Sequence, residues 1–174
     1  MHKLMLLRHA KSSWDDATLS DHARPLNRRG QMAAASVRGV IQSLGLAPEL
    51  ALVSSSRRTL QTLEALGPWT RPPAVKPMDA LYLARADEIV DVVAGVDEAV
   101  GCVLVVGHNP GLHDAAVRLA GTGQQLDREL AQLHASFPTG ALAVFACQNW
   151  AGLPECGATL ERFVVPRDLP EPAA

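Results

Sequence analysis

The sequence predicts an α/β protein of three layers, in which helices cover both faces of a mostly parallel central sheet. Apolar runs at residues 4–7, 50–53 and 102–106 have the length of buried strands, and polar or turn residues follow each run. Segments with apolar residues at helical spacing lie between these runs. Strands that alternate with helices along a chain typically form a parallel sheet.

Length and composition fit one globular domain. The chain has 174 residues, of which 48% are hydrophobic and 20% are charged, so it is long enough to bury a sizeable core. We place this domain at residues 1–165. The remaining residues, 166–174, are rich in proline and charge, and we interpret them as a loose C-terminal tail.

Charge and cysteine content exclude several classes of protein. A formal net charge of −2 argues against a nucleic-acid binder, which needs a broad basic face. No apolar run reaches membrane-spanning length, so we expect no membrane partner. Cys102, Cys147 and Cys156 are odd in number and lack the close pairing of metal ligands. The sequence therefore predicts a cytoplasmic protein with no metal and no cofactor.

The first predicted strand ends in Arg8 and His9. Open α/β sheets bind ligands beyond the carboxyl ends of their strands, so these two side chains are candidates for a site. Arg carries a planar fork of donors that fits phosphate oxygens, and imidazole can act as nucleophile, acid or donor near neutral pH. The pair indicates an anion site, with phosphate favoured.

The first helix is predicted after a polar loop at residues 15–27, with Asn27 as its N-cap and Gly45 after its end. Its apolar positions recur at helical spacing and predict one buried face. These positions are Ala33, Val37, Val40, Ile41 and Leu44.

The second strand, at residues 50–53, leads into a second helix that Ser56 can cap and that Gly67-Pro68 ends. Leu60, Leu63 and Leu66 form its predicted buried stripe. Arg57 and Arg58 then fall in the first helical turn, where free backbone N–H groups favour anions.

The rest of the chain completes the sheet. Residues 68–77 predict at most a short edge strand near Val75, and residues 87–94 a short helix. The strand at 102–106 ends at Gly107-His108, after which Asn109 is the predicted N-cap and Pro110 the first helical residue. A further helix at 126–135 precedes a predicted hairpin of strands at 141–147 and 159–165.

These predictions place four chemically capable side chains at strand ends of one small domain. They are Arg8, His9, Arg58 and His108. Each alone is typical of a solvated or hydrogen-bonded residue. Together, two guanidinium groups and two imidazoles can surround one phosphate.

The same residues resemble the histidine phosphatase superfamily, with its phosphoglycerate-mutase-like fold, and within it the SixA-like phosphohistidine phosphatases. The resemblance covers nearly the whole chain and rests on four sequence blocks in a fixed order. The blocks are Arg8-His9-Ala10; Arg24-Pro25-Leu26 followed by Gly30; Ser54, Arg58 and Gln61-Thr62; and Gly107-His108.

The resemblance implies phosphoryl transfer in two steps, with His9 as the nucleophile and a phosphohistidine intermediate that water hydrolyses. Arg8, Arg58 and protonated His108 would stabilise the charge, and no metal or cofactor is implied. Lys11, Ser12 and Asp15 are the expected substrate-binding residues.

The chain departs from the family pattern at two places. Asp15 stands where many members carry an Asn that helps to hold phosphate. Larger members also have a catalytic Glu before the second histidine, and this chain has no clear match for it. The nearby carboxylates are Asp79, Asp87 and Glu88, and each also fits a capping or solvated role.

Three functions remain open from the sequence: hydrolysis of phosphohistidine on a protein, hydrolysis of a small phosphoester, and non-catalytic binding of a phosphate or phosphoprotein. The missing acid favours the first function. An alkoxide normally needs a general acid in order to leave, whereas phosphohistidine can release a neutral imidazole.

Overall fold

Buried apolar strands and amphipathic helices alternate along the chain, as the sequence predicts. The structure, a computed structural model, describes residues 1–121 and 128–169. Its strands are β1 (His2–Arg8), β2 (Leu50–Ser54), β3 (Ala74–Met78), β4 (Cys102–Gly107), β5 (Leu142–Cys147) and β6 (Thr159–Val164). Its helices are α1 (Arg28–Ser43), α2 (Arg57–Ala65), α3 (Ala86–Ala94), α4 (Gly111–Ala120), α5 (Arg128–Ala135) and α6 (Leu153–Cys156).

The strands of the described residues form one six-stranded sheet in the order β3-β2-β4-β1-β5-β6. β1 to β4 run parallel, whereas β5 is antiparallel to both β1 and β6. β1 therefore lies inside the sheet, and its carboxyl end is next to the carboxyl end of β4. This arrangement confirms the mostly parallel sheet and the C-terminal hairpin.

Side chains of β1 alternate between two cores. Leu4 and Leu6 pack into a cluster with α3, α4 and α5, whereas Met5 and Leu7 pack into a second cluster with α1 and α2. A strand that is apolar on both faces must be covered on both sides, and each such side chain contributes about 1.5–3 kcal/mol when fully buried. The predicted three-layer architecture is confirmed.

Helix α1 begins and ends where its capping residues predict. Asn27 Oδ1 accepts a hydrogen bond from Gly30 N at 2.9 Å, and Gly45 has a φ of +65°. Leu44 is the C-cap residue and is exposed, so the buried face stops short of it. A Cβ on Gly30 would lie 2.1 Å from Lys11 O, so only glycine permits this contact between α1 and the loop after β1.

Helix α2 differs from its prediction on two points. Leu63 and Leu66 are buried, but Leu60 is exposed, and Thr59 and Thr62 share the buried face instead. Thr59 Oγ1 donates to Ser54 O at the end of β2, and Thr62 Oγ1 donates to Arg58 O within α2, so both buried hydroxyl groups are satisfied. Ser56 is the N-cap residue, yet its side chain makes no capping hydrogen bond.

The predicted N-cap at Asn109 is wrong. Helix α4 begins at Gly111 with Pro110 as the N-cap residue. Asn109 Nδ2 instead donates to Phe137 O at 2.8 Å, so a contact between distant segments takes the side chain that the local pattern assigned to a cap.

The remaining described segments have the predicted type of secondary structure and differ from the predictions in their boundaries. The edge strand near Val75 extends over β3, and a short 3-10 helix follows it at Asp79–Leu81. The start of the predicted helix at 126–135 lies outside the described residues, and α5 covers the rest of it. Within the described ranges, no helix is both long and apolar enough to cross a membrane.

The predicted loose tail is packed over its first residues. Pro166–Asp168 form a 3-10 helix that contacts α1, and Leu169 packs against the cluster beneath α1 and α2. Residues 170–174 lie outside the described part of the chain.

Candidate active site

The carboxyl ends of β1, β2 and β4 meet at one edge of the sheet and bring the two histidines together. His9 N donates to Gly107 O at 3.1 Å, which fixes the end of β1 against the end of β4. The ring centroids of His9 and His108 are 5.2 Å apart. The convergence predicted from the sequence is therefore present in the structure.

A cavity of about 320 Å³ opens at this edge. Its lining contains four cationic side chains and no carboxylate among the described residues, which suits an anion. The lining residues are Arg8, His9, Lys11, Ser12, Trp14, Arg24, Arg58 and Thr139. A groove of about 500 Å³ lies at the opposite edge, but Arg118 and Glu155 are its charged side chains and its lining includes no histidine.

His9 is buried and is held in one tautomer. Its Nδ1 lies 2.7 Å from Ala10 O, and since a carbonyl only accepts, Nδ1 carries the proton. The Nε2 atom of the neutral ring then keeps its lone pair. Burial, together with the charges of Arg58 and Arg8, lowers the pKa of His9 to about 4, so the ring is neutral at physiological pH.

Arg8 anchors one side of the cavity. Its Nη1 donates to Phe137 O at 3.0 Å, and burial followed by the charge of Arg58 lowers its pKa. Arg8 Nε is buried and has no hydrogen-bond partner among the described residues. A buried donor without a partner is costly, and the Arg8 guanidinium as a whole lines the cavity, where it suits a phosphate.

His108 lies beside Arg58 behind the cavity. Its Nε2 is 2.8 Å from Ser54 Oγ, and its Nδ1 is 3.4 Å from Arg58 Nη2. Burial, then the proximity of His9 and Arg58, lowers the pKa of His108 to about 3. Burial and the neighbouring His9 and Arg58 therefore favour a neutral His108 in the free protein, and its protonation during phosphoryl transfer stays a prediction.

Asp21 joins the two buried arginines of the site, a role that the sequence does not predict. Its Oδ2 accepts from Arg58 Nη2 at 3.0 Å and from the Tyr82 hydroxyl at 2.6 Å, while its Oδ1 accepts from Arg24 Nη1 at 2.9 Å. The Tyr82 hydrogen bond and the arginines lower the pKa of Asp21, so this carboxylate is ionised. It orients Arg58 and is unsuited to donate a proton at neutral pH.

The two residues Gln61 and Thr62 explain why Arg58 faces the cavity. Gln61 Oε1 accepts from Leu26 N at 2.8 Å, and Thr62 Oγ1 accepts from Ala10 N at 3.0 Å. These contacts fix the rotation of α2 against the loop after β1. Arg58 is buried as a result, and Arg57 is exposed to solvent.

Of the three predicted substrate-binding residues, the structure brings two to the cavity. Lys11 is an exposed lining residue, and Ser12 is buried with its Oγ accepting a hydrogen bond from Arg24 Nη2. Asp15 is exposed and does not line the cavity; its backbone N donates to Ser13 Oγ at 3.1 Å.

The carboxylates weighed as a general acid lie outside the cavity lining. Asp87 is 3.3 Å from Arg85 Nη2, and Glu88 Oε2 accepts from Arg85 N at 2.8 Å, so both stabilise the start of α3. Asp79 is exposed in the 3-10 helix after β3.

The low pKa values of His9 and His108 predict a stability that depends on pH. In the unfolded chain these groups take up protons near pH 6.5, whereas in the folded protein they do so near 4 and 3. Between these pKa values the unfolded chain binds more protons than the folded protein. The free energy of unfolding should therefore be greatest above pH 6.5 and decrease towards pH 4. Each histidine contributes at most about 1.4 kcal/mol per pH unit.

Urea unfolding at pH 7.5 and pH 5 measures this effect. His108→Gln should lose less stability than the wild-type protein between the two pH values, while His134→Gln, at an exposed position of α5, should lose as much. An equal loss in all three proteins would show that the buried histidines do not titrate as described.

The chain is similar to a known protein family and to bacterial proteins. The family described as the histidine phosphatase superfamily (branch 1) matches residues 4–82. An uncharacterised protein of Mycobacterium tuberculosis is 32% identical over 162 residues, which span 92% of this chain and 100% of the relative.

The chain is also similar to solved structures over nearly its whole length. A candidate phosphohistidine phosphatase SixA from Nakamurella multipartitia is 31% identical with a TM-score of 0.83, over 95% of this chain and 96% of that chain. A protein histidine phosphatase SixA complexed with tungstate is 22% identical with a TM-score of 0.76, over 95% of this chain and 98% of that chain. The second likeness is one of fold, and both confirm the predicted fold class.

Proposed function

The chain belongs to the histidine phosphatase superfamily, and we propose that this phosphatase hydrolyses phosphohistidine through a covalent intermediate on His9. The observation that carries the proposal is the state of His9. Its Nδ1 proton is held by Ala10 O at 2.7 Å, its pKa is lowered to about 4, and its Nε2 lone pair belongs to a residue that lines a cationic cavity. These are the properties of a nucleophile that needs no base to activate it.

In the first step, His9 Nε2 attacks the phosphorus atom of the substrate. A bond forms between His9 Nε2 and phosphorus while the phosphorus–nitrogen bond of the substrate breaks. Its electron pair returns to the substrate ring, whose second nitrogen carries a proton, so a neutral imidazole leaves. In the second step, water attacks the phosphorus of the intermediate and His9 leaves with its electron pair. Both protons of the water stay on the released inorganic phosphate, and neutral His9 with its Nδ1 proton is regenerated.

Arg8 and Arg58 supply the positive charge that transferring phosphoryl oxygens require. Arg8 and Arg58 both line the cavity, and Arg58 is held in place by Asp21. A phosphate dianion bound near His108 would favour its protonated form, as an anion beside an imidazole does. We propose that His108 gains its proton only when the substrate is present.

The surroundings of the cavity favour a leaving group that needs no acid. The carboxylate closest to the site network is Asp21, which is kept ionised by Tyr82 and two arginines. Alkoxides depend on a general acid for roughly a hundred- to ten-thousandfold of their rate. Imidazole has an ordinary pKa near 6.5 and can depart neutral, so the site suits phosphohistidine better than a sugar phosphate.

The test compares kcat/KM for a phosphohistidine protein, free phosphoramidate and several sugar phosphates. We expect the phosphorus–nitrogen substrates to be cleaved at least about a hundredfold faster than sugar phosphates, the lower end of what a general acid supplies. Rapid quenching should trap an acid-labile phosphoenzyme on His9.

Equal turnover of a sugar phosphate would favour a phosphoester metabolite and an unrecognised acid. Binding of phosphate without any phosphoenzyme would indicate a non-catalytic binding module.

We extend the proposal to the partner and the location. The substrate is a phosphohistidine-bearing protein or a small phosphorylated molecule, and the protein acts in the cytoplasm, where free thiols such as those of Cys102, Cys147 and Cys156 stay reduced.

A further inference from the structure

Trp14 is an exposed aromatic side chain at the mouth of the cavity. It is 76% exposed, although burial of a tryptophan is strongly favourable, and it lines the same cavity as His9, Arg8 and Arg58. Apart from His9, it is the aromatic residue of this lining within the described ranges. The proposed chemistry gives Trp14 no role.

One face of the indole ring is covered by Arg24. The Arg24 Cζ atom lies 3.2 Å from the ring centroid, which is a close cation–π contact. Arg24 is itself held on three sides, because its Nε donates to Ser13 O at 3.0 Å and its two terminal nitrogens donate to Asp21 and Ser12. The guanidinium is therefore a fixed support that sets the orientation of the ring.

The backbone that leads into Trp14 is also held by hydrogen bonds. Ser13 N donates to Pro25 O at 2.8 Å, Asn27 N donates to Lys11 O at 3.0 Å, and Ser12 forms a β-bridge with Leu26. A rigid exposed ring loses little conformational entropy when a ligand stacks on it. Residues 11–14, the rim of the cavity, therefore present a rigid surface on which a flat ligand can stack.

We propose that Trp14 is a specificity-determining residue that stacks on the aromatic ring of the leaving group, which selects phosphorylated imidazoles over phosphoramidates without a ring. This inference rests on the proposed function. Apart from the nucleophile His9, the remaining lining consists of cations and the hydroxyl groups of Ser12 and Thr139, which are suited to bind phosphate oxygens. Trp14 supplies the exposed surface for a flat ring.

The experiment uses two substrates with the same type of scissile bond. Phosphoimidazole and free phosphoramidate both carry a phosphorus–nitrogen bond, but only the first has an aromatic leaving group. Aromatic pairs contribute about 0.5–1.5 kcal/mol beyond simple burial, which corresponds to a change of roughly two- to tenfold. Trp14→Ala should therefore lower kcat/KM for phosphoimidazole by this factor and leave kcat/KM for phosphoramidate unchanged.

Two further variants separate stacking from support of the site. Trp14→Phe keeps a ring and should restore most of the preference for phosphoimidazole. Val75→Ala removes a 52% exposed side chain from the edge strand β3 and should leave kcat/KM for both substrates unchanged.

Each remaining outcome decides the matter. If Trp14→Ala lowered kcat/KM equally for both substrates, Trp14 would only support Arg24 and the rim. If it lowered kcat/KM for neither, the indole ring would make no contribution. Either result overturns the inference. If the wild-type protein cleaved neither compound and formed no phosphoenzyme, the proposed function would fail first, and this inference with it.

Discussion

Replacement of His9 by Ala should abolish turnover and remove the acid-labile phosphoenzyme. The nucleophile forms the bond to phosphorus, and the described contacts provide no second neutral imidazole with a free lone pair in the cavity lining. The fold should survive, because the His9 side chain makes a single hydrogen bond, to the neighbouring Ala10 O. Quenched phosphoenzyme assays and thermal unfolding measure the two effects.

His134→Ala is the matched control, since it removes an imidazole from an exposed position on α5. It should retain full activity and form the phosphoenzyme. A phosphoenzyme that persists in His9→Ala would assign the nucleophile to another residue, and His108 would be the first to examine.

Arg58→Ala should lower kcat/KM about a hundredfold or more. Loss of one preorganised donor to a charged transition state typically costs about 3 kcal/mol. Arg58 is buried at the cavity, bonded to Asp21 and close to His108, so its loss also leaves the Asp21 carboxylate without its main cation. Steady-state kinetics and thermal unfolding would separate the catalytic loss from any loss of stability.

Arg57 gives the comparison for Arg58 within the same helical turn. Its side chain is exposed, so Arg57→Ala should change kcat/KM by less than about threefold, as expected for a solvated charge. Similar losses in Arg57→Ala and Arg58→Ala would mean that the rotation of α2 in solution differs from the one that Gln61 and Thr62 impose.

The elements that deliver the site could be predicted from the sequence, because local pattern decides them. Continuous apolar runs specify β1 and β4. Because the two strands are parallel, their carboxyl ends lie at the same edge of the sheet, and His9 and His108 follow directly. Local pattern also places Arg58 in the first turn of α2. The choice of Arg58 over Arg57 came from the family resemblance rather than from the residues alone.

Contacts between distant segments could not be predicted in the same way. Asp21 meets Arg58 and Tyr82 only after the chain has folded, and its spacing from either residue carries no periodic signal. Asn109 is a second example, because this residue type is a strong N-cap, yet its side chain donates to the distant Phe137 O instead. Ionisation states depend on these contacts, so the lowered pKa of His108 in the free protein also has no signal in the sequence.

The position of β1 links catalysis to the slowest motions of the protein. Leu4–Leu7 are buried and hydrogen-bonded to neighbouring strands on both sides, so amide hydrogen exchange there requires global unfolding. The loop around Asp16 is exposed, and its amides can exchange through local opening. The nucleophile is thereby attached to the most protected part of the chain, and local opening of the loop around Asp16 leaves it in place.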